Sequence, residues 1–318
     1  MFNDLLLSIW DQSHIYALYA VFCFLLTLVF LPVPFPFLPQ DQGRPYAVNG
    51  EQSKGKIRGS GLIMLVSFLL CSFLFIPVQL EFLFYAAILF LEMLSGFLDD
   101  AAKTPWSDYK KGLIDLILSI SVGIVFIFNN STTIFIGVWS LSINPVLYGV
   151  LATILVWMSV NAFNCTDGVD GLSSSVGLIS LISFLLIYPT EIESAYHGYT
   201  VLFAAVVCAY LLYNAKPSQI LMGDAGSRPF GVLLAILAMK SHHPFSFLLL
   251  CLVFILDGLP GLAKVFLLRF FKISVFKNIR TPLHDEFRKN RGWSDTQVVF
   301  RFALAQVFFS VLCYITTL

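Results

Sequence analysis

The stretch "PVLYGVLATILVWMSVNAFNCTDGVDGLSSSVGLISLISFLLI", residues 145–187, consists of two apolar runs parted by a short polar break. Neither run alternates with the period of two that a barrel strand requires. Helices are the remaining way to satisfy backbone polar groups in lipid. About 20 helical residues cross a hydrocarbon core about 30 Å thick. Comparable runs occupy residues 15–33, 61–78, 80–98, 112–129, 145–163, 172–188, 198–213, 225–240, 244–268 and 297–316. The composition agrees, because 58% of the 318 residues are hydrophobic and 12% are charged, with a mean hydropathy of +0.84. A typical soluble domain carries about a quarter charged residues. The sequence therefore predicts an all-α, polytopic integral membrane protein with about ten transmembrane helices, forming a single domain over residues 1–318.

Basic residues favour the cytoplasmic side of a span, and alternate loops differ sharply in them. One set carries Arg44, Lys54, Lys56 and Arg58, then Lys103, Lys110 and Lys111, then Lys216, then Lys272, Lys277, Arg280, Arg288, Lys289 and Arg291. The opposite set has Lys240 alone, among Glu81, Glu191 and Glu193, and the first fourteen residues contain no Lys or Arg. Both termini are expected outside, consistent with an even number of spans. The N-terminus lacks the basic region and small-residue cleavage site of a signal peptide. The six cysteines are scattered without CxxC spacing and read as small hydrophobes, giving neither a disulfide framework nor a zinc site.

Four acidic motifs fall on the expected cytoplasmic side. Asp99 and Asp100 of "FLDD" end the third run, Asp167 and Asp170 end the fifth, Asp224 of "MGDAGS" opens the eighth, and "PLHDEF" lies in the last basic loop. Each motif also has an ordinary reading. Asp99 and Asp100 can be a solvated helix end paired with Lys103, Lys110 or Lys111, although two carboxylates there oppose the helix dipole and gain from a cation. "NAFNCTDGVDG" suits a tight turn, which explains its glycines but not Asn161 and Asn164, three apart on one face and aimed toward Asp167. Asp224 can be a helix cap, or can hold a cation that bridges to an anion at the helix N-terminus. Asp257 and Lys264, seven apart within an apolar run, are either functional groups or a structural ion pair. Glu92 shares a face with Asp99, and its role stays open.

Oxygen ligands without a Cys or multi-His cluster favour Mg²⁺ or Mn²⁺ over zinc. Carboxylates ringed by Lys and Arg are what a diphosphate substrate needs, because phosphoryl transfer depends on positioning and charge neutralisation. The residues alone thus point to metal-assisted phosphoryl chemistry at the cytoplasmic face.

Taken in order, "GFLDD", "NAFNCTDGVDGL", "MGDAGS" and "TPLHDEF…GWSDTQVVFRF" resemble the polyprenyl-phosphate N-acetylhexosamine-1-phosphate transferase superfamily, from about residue 54 to the C-terminus. The last segment resembles its phosphomuramoyl-pentapeptide branch. The resemblance implies a ten-helix homodimer in the bacterial cytoplasmic membrane, with a cytoplasmic cleft. Undecaprenyl phosphate would attack a UDP-sugar pentapeptide, releasing UMP and leaving a lipid diphosphate, with Mg²⁺ as cofactor and no nucleic-acid partner. It further implies Asp224 as principal metal ligand with Asp167 beside it, and Asp99 and Asp100 next to the phosphates. Asn161, Asn164, Asp167, Gly168 and Asp170 would border the nucleoside, Lys54, Lys103, Lys111 and Asn214 would contact the uridine diphosphate, and His284 would close the site.

Some positions depart from the superfamily pattern. Its triple-His stretch reads His284, Asp285, Glu286, and an aromatic expected three positions before Asp224 is Leu221, followed by Met222. The N-terminal "KxGTPTMGG" reads "KGKIRGSGL", leaving the phosphate-binding role open among Lys54, Lys56 and Arg58. A second basic residue expected on the fourth helix is absent. Two other functions stay in view: a relative that uses UDP-GlcNAc for O-antigen or teichoic acid linkage, and a secondary transporter. Acids at one membrane face rather than the midplane, without paired inverted halves, argue against the transporter.

Overall fold

The computed structural model describes residues 12–43, 50–137 and 139–317. The N-terminal placement and Arg44 of the first basic loop lie outside the described residues. All ten apolar runs are helical. They form α1 (Gln12–Phe30), α2 (Gly61–Phe75), α3 (Leu80–Asp100), α4 (Asp108–Asn129), α5 (Pro145–Thr166), α6 (Leu172–Ile187), α7 (Ser194–Asn214) and α8 (Asp224–Lys240), then the paired α9 (Phe247–Leu250) and α10 (Leu252–Phe271), and finally α12 (Asp295–Thr317). The amphipathic α11 (Leu283–Asn290) lies in the last basic loop. One element is not legible in the apolar pattern: β1 (Thr133–Ile136) and β2 (Trp139–Ser142) form an antiparallel hairpin between α4 and α5, pairing Thr133 with Ser142 and Ile136 with Trp139.

Local chemistry explains the helix starts. Asn144 accepts from the backbone of Val146 at 2.9 Å with Pro145 in the first turn, and Ser107 accepts from Lys110 N at 3.3 Å. Such side-chain acceptors satisfy N–H groups left over at a helix start. Outward faces carry large apolar side chains such as Phe128, Val146, Leu186 and Phe308, which in lipid incur no penalty.

Among the described residues five helices, α3, α4, α5, α7 and α12, are long and apolar enough to cross a membrane, or six if α9 and α10 with their leading turn count as one bent span. The expected all-α polytopic membrane protein is what these helices make, and of the about ten spans expected the other apolar helices are shorter or enclosed. Helix α2, for example, has 15 residues, about 22 Å at 1.5 Å per residue, short of the core thickness. Helix α8 carries charged residues at both ends and is buried along nearly all its length. A helix enclosed all round is a core element, and α8 packs on α2, α3 and α5. Gly96 permits one close approach, since a Cβ there would overlap the Asp224 and Ala225 backbone.

The ninth run is bent by 87° between Leu250 and Leu252. Breaking a helix frees backbone groups that must find partners. The buried Gln306 of α12 supplies them, donating to Leu249 O at 3.0 Å and accepting from Val253 N at 3.2 Å. Ser180 of α6 donates to Leu250 O at 2.5 Å.

Candidate active site

The acidic motifs meet at one end of the bundle. The segment before α2 is zipped to the strand-like approach to α8: Leu221 N donates to Ile57 O at 2.8 Å, Ser60 N to Leu221 O at 3.1 Å, and Gly61 N to Met222 O at 3.1 Å. This pairing carries Arg58 to the start of α8. Its Nε lies 2.7 Å from Asp100 Oδ1, one terminal nitrogen 2.8 Å from Asp41 Oδ2, and the other 3.6 Å from Asp224 Oδ1. Burial alone would lower the Arg58 pKa, but Asp100 and Asp224, with Asp41, outweigh it and push it well above its ordinary value. Arg58 is therefore a permanent cation here.

Asp99 is held from another side. Trp106 N donates to its Oδ1 at 2.8 Å, and Lys111 at the start of α4 pairs with its Oδ2. Lys111 also lies 3.9 Å from Asp224 Oδ2. Arg228, one turn into α8, reaches Asp224 Oδ2 at 2.8 Å and Asp115 Oδ1 at 3.1 Å. Arg228 of α8 is thus fixed against an acid on α4.

The second half of the site is the 164–171 turn. Asn164 Nδ2 donates to Ser227 Oγ at 2.8 Å, which ties the end of α5 to the start of α8. Ser227 lies one turn after Asp224 on α8, and Asp167 follows Asn164 by three residues at the end of α5. Asp167 Oδ1 accepts from Ser173 Oγ at 2.6 Å. Asp170 faces Lys56 and Lys216, each at 3.6 Å, and accepts from Ser218 N at 3.2 Å. His284 enters from α11, its backbone N donating to Asp257 Oδ1 at 2.7 Å and its Nδ1 lying 2.8 Å from Asp257 Oδ2. That double contact leaves Nε2 facing the turn, where Gly168 makes room: a Cβ there would lie 2.5 Å from Nε2.

Shared cations join Asp99, Asp100 and Asp224 through Arg58 and Lys111, Asn164 reaches Ser227 one turn after Asp224, and Asp167, Gly168 and Asp170 lie on the following turn with His284 against Gly168. Others sit differently. Asn161 donates to Trp157 O of its own helix at 2.8 Å, so it does not aim at Asp167. Asn214 is buried and spends both polar atoms on backbone, accepting from Gly171 N at 2.8 Å and donating to Ile220 O at 2.9 Å. Met222 is fully buried, and its N donates to Tyr210 Oη at 2.8 Å. Leu221 contributes its backbone to the zipper. Lys54 and Lys103 are exposed, without an ion pair among the described residues, and Lys56 and Arg58 reach the acids instead. Asp257 pairs with His284 rather than Lys264, which donates to the carbonyls of Phe276 and Ile279 at 3.2 and 3.3 Å.

Sequence reasoning missed Arg228, Asp115 and Asp41. The usable signal for the first two was an ionisable residue in a membrane helix, which is functional or paired by default. Counted as ionised, the carboxylates of Asp41, Asp99, Asp100, Asp115 and Asp224 face three cations, Arg58, Lys111 and Arg228, leaving two negative charges in excess. Among the described residues no three His, Cys, Asp or Glu side chains form a metal cage. An all-oxygen donor set with surplus negative charge still fits Mg²⁺, which commonly takes one or two carboxylates together with substrate phosphates.

The sequence signature of glycosyl transferase family 4 matches residues 82–242. The phospho-N-acetylmuramoyl-pentapeptide-transferase of Treponema pallidum (strain Nichols) is 36% identical, over 91% of this chain and 85% of the relative. The enzyme of that name from Rickettsia prowazekii is 28% identical over 98% of each chain, and that from Latilactobacillus sakei 27% identical over 91% of this chain and 93% of its own. The matched region contains Asp99, Asp100, Asp115, Asp167, Asp224 and Arg228, the residues whose contacts build the carboxylate junction, and the chain belongs to glycosyl transferase family 4.

Proposed function

We propose that this protein transfers phospho-N-acetylmuramoyl-pentapeptide from its UDP-linked donor to undecaprenyl phosphate, forming the first lipid intermediate of peptidoglycan synthesis. The observation that carries the reading is the convergence of Asp99, Asp100 and Asp224 with Arg58, Lys111 and Arg228 at one end of the bundle. The names and coverage of its relatives agree with it. The predominance of basic loops at that end supports a site on the cytoplasmic face of the bacterial inner membrane.

In the transfer, an oxygen of the lipid phosphate attacks the phosphorus attached to the sugar. A new P–O bond forms as the P–O bond to UMP breaks, and UMP leaves with the electron pair. A phosphate monoester is already ionised at neutral pH, so the nucleophile needs no general base. The protein's task is to place two anionic phosphates together against their repulsion. Arg58 and Lys111, held in place by Asp100 and Asp99, offer fixed positive charge to the donor diphosphate. Lys56, half-buried, and the exposed Lys216, both beside Asp170, extend that field along the 167–171 turn. Asp257 fixes the His284 ring so that Nε2 is presented to the substrate, as a carboxylate partner orients a histidine in many sites. Mg²⁺, held by Asp224 and Asp167, would supply charge neutralisation of the diphosphate. The homodimer belongs to the same proposal.

The test supplies purified protein with undecaprenyl phosphate, Mg²⁺ and either UDP-N-acetylmuramoyl-pentapeptide or UDP-GlcNAc, and measures UMP release. Release with the muramoyl donor alone, abolished by EDTA and restored by Mg²⁺, is expected. Release with UDP-GlcNAc alone would reassign the sugar, and release with neither would end the enzymatic reading.

A further inference from the structure

Arg228 has no part in the motifs that identify the site, yet it is a buried cation between acids of two helices. It is 2% exposed, on a helix enclosed by its neighbours. One terminal nitrogen lies 2.8 Å from Asp224 Oδ2 and 3.9 Å from Asp99 Oδ2. The other lies 3.1 Å from Asp115 Oδ1 and 3.4 Å from Ser95 Oγ. Beside Asp115 sits Glu92, fully buried. The guanidinium therefore spans two environments. On one side is the carboxylate expected to carry the metal, and on the other an acid set within the apolar run of α4.

A planar guanidinium can hold two carboxylates in fixed directions at once. Asp115 cannot be left unpaired in that setting, because a lone buried charge is strongly unfavourable. Asp115 thus anchors Arg228, and Arg228 in turn fixes Asp224. A permanent cation on Oδ2 also lowers the attraction that Asp224 offers to any second cation.

We propose that Arg228, anchored by Asp115, is a positioning residue that holds Asp224 in its working orientation and weakens the site's grip on the divalent ion. The inference rests on the metal-assisted transfer proposed above. Its consequence is that bound metal depends on the donor diphosphate for part of its coordination, so that the ion is retained with substrate and released with product.

The experiment measures Mn²⁺ binding to the detergent-solubilised full chain by electron paramagnetic resonance of the free ion, alongside kcat at saturating Mg²⁺. Arg228→Leu alone strands Asp115 and is expected to lower the yield of folded protein. The double variant Arg228→Leu/Asp115→Leu removes both charges and serves as the decisive protein. It is expected to bind Mn²⁺ about tenfold more tightly, because the nearer of the two removed charges was positive, and to turn over about tenfold more slowly, because Asp224 loses its fixed partner. Arg228→Lys keeps the charge but not the fork, so its Mn²⁺ affinity stays within about twofold of wild type while kcat falls. A folded double variant with unchanged or weaker Mn²⁺ affinity overturns the proposal. Failure of the wild-type chain to bind Mn²⁺, with or without the donor nucleotide, overturns the metal assignment and this inference together. A wild-type chain that binds Mn²⁺ and transfers no phosphosugar overturns the functional reading alone.

Discussion

The backbone N–H of Asp224 donates to Asp100 Oδ2 at 2.8 Å, so the first residue of α8 rests on the carboxylate that ends α3. An anion at a helix N-terminus is favoured by the free N–H groups and by the helix dipole. Asp100 meets that need from a distant part of the chain, and through its other oxygen it fixes Arg58. Asp100→Ala is therefore expected to affect two properties. The buried N–H loses its acceptor at a cost of about 1–3 kcal/mol, and the displaced Arg58 reduces kcat. A lowered thermal midpoint together with reduced UMP release checks this, and a variant stable as wild type would contradict the capping role.

Asp224→Asn separates charge from shape. The amide oxygen can still accept from Arg228, so the detergent-solubilised fold is expected to persist. Loss of the charge is expected to lower kcat by about 10²–10³-fold, the scale of removing one preorganised electrostatic group. Full turnover in this variant would remove Asp224 from the metal role.

His284 reaches the turn only because position 168 has no side chain. Gly168→Ala is expected to push the ring away from its place and to reduce transfer without unfolding the bundle, since Gly168 itself is exposed. Asp257→Asn weakens the pair that orients the ring and is expected to cause a partial loss, about tenfold. Steady-state kinetics on both variants, with UMP release as readout, decides the point: wild-type kcat in Gly168→Ala would show that the ring position is unimportant.

Gln306 repairs the break in the ninth apolar run. Gln306→Leu has similar volume and greater apolarity, so burial alone predicts stabilisation. The opposite is expected, because Leu249 O and Val253 N both lose their partner, at about 1–3 kcal/mol for each orphaned group. A thermal midpoint below wild type in detergent supports the repair, and an unchanged midpoint would show that the bend closes without it.

Asp41 ties the loop before α2 to the site. Burial by itself would raise its carboxyl, but hydrogen bonds from Arg58, Ser53 and Gly43 N outweigh it and hold it below its ordinary 3.8. A depressed folded value means that this stabilisation is complete above the unfolded value and is lost as pH falls through the lower, folded one. Pepsin cleavage within residues 50–60 is expected to rise in wild type only as the pH drops below 3.8. Asp41→Asn should be cut there already at about pH 4–5, above the ordinary aspartate value. Coincident cleavage profiles for the two proteins would dissociate Asp41 from the loop's stability.

Much of the site was legible because each motif is short and local. "FLDD", "NAFNCTDGVDG" and "MGDAGS" each place carboxylates at the end or beginning of an apolar run, and alternation of the runs brings those ends to one side. The roles of individual polar residues were not legible. Asn161 and Asn214 look alike in sequence as amides beside an acidic motif, yet one bonds its own helix and the other clamps the Gly171 and Ile220 backbone. Asp257 and Lys264 share a helical face, but their partners come from the last basic loop.

Apolar run length, basic-loop bias and motif order determined from the sequence alone that the chain is a helical membrane protein with its aspartate motifs at one end. These are properties of contiguous residues, and desolvation acts on them whatever their neighbours. Which cation meets which carboxylate was decided only in the folded molecule. Arg58 reaches Asp100 through the zipper to residues 220–222, and Arg228 joins Asp224 to Asp115 because α8 packs between α3 and α5, with α4 alongside. Charge pairing falls off over a few ångströms, and separations on that scale between remote segments are set by helix packing, which no local pattern encodes.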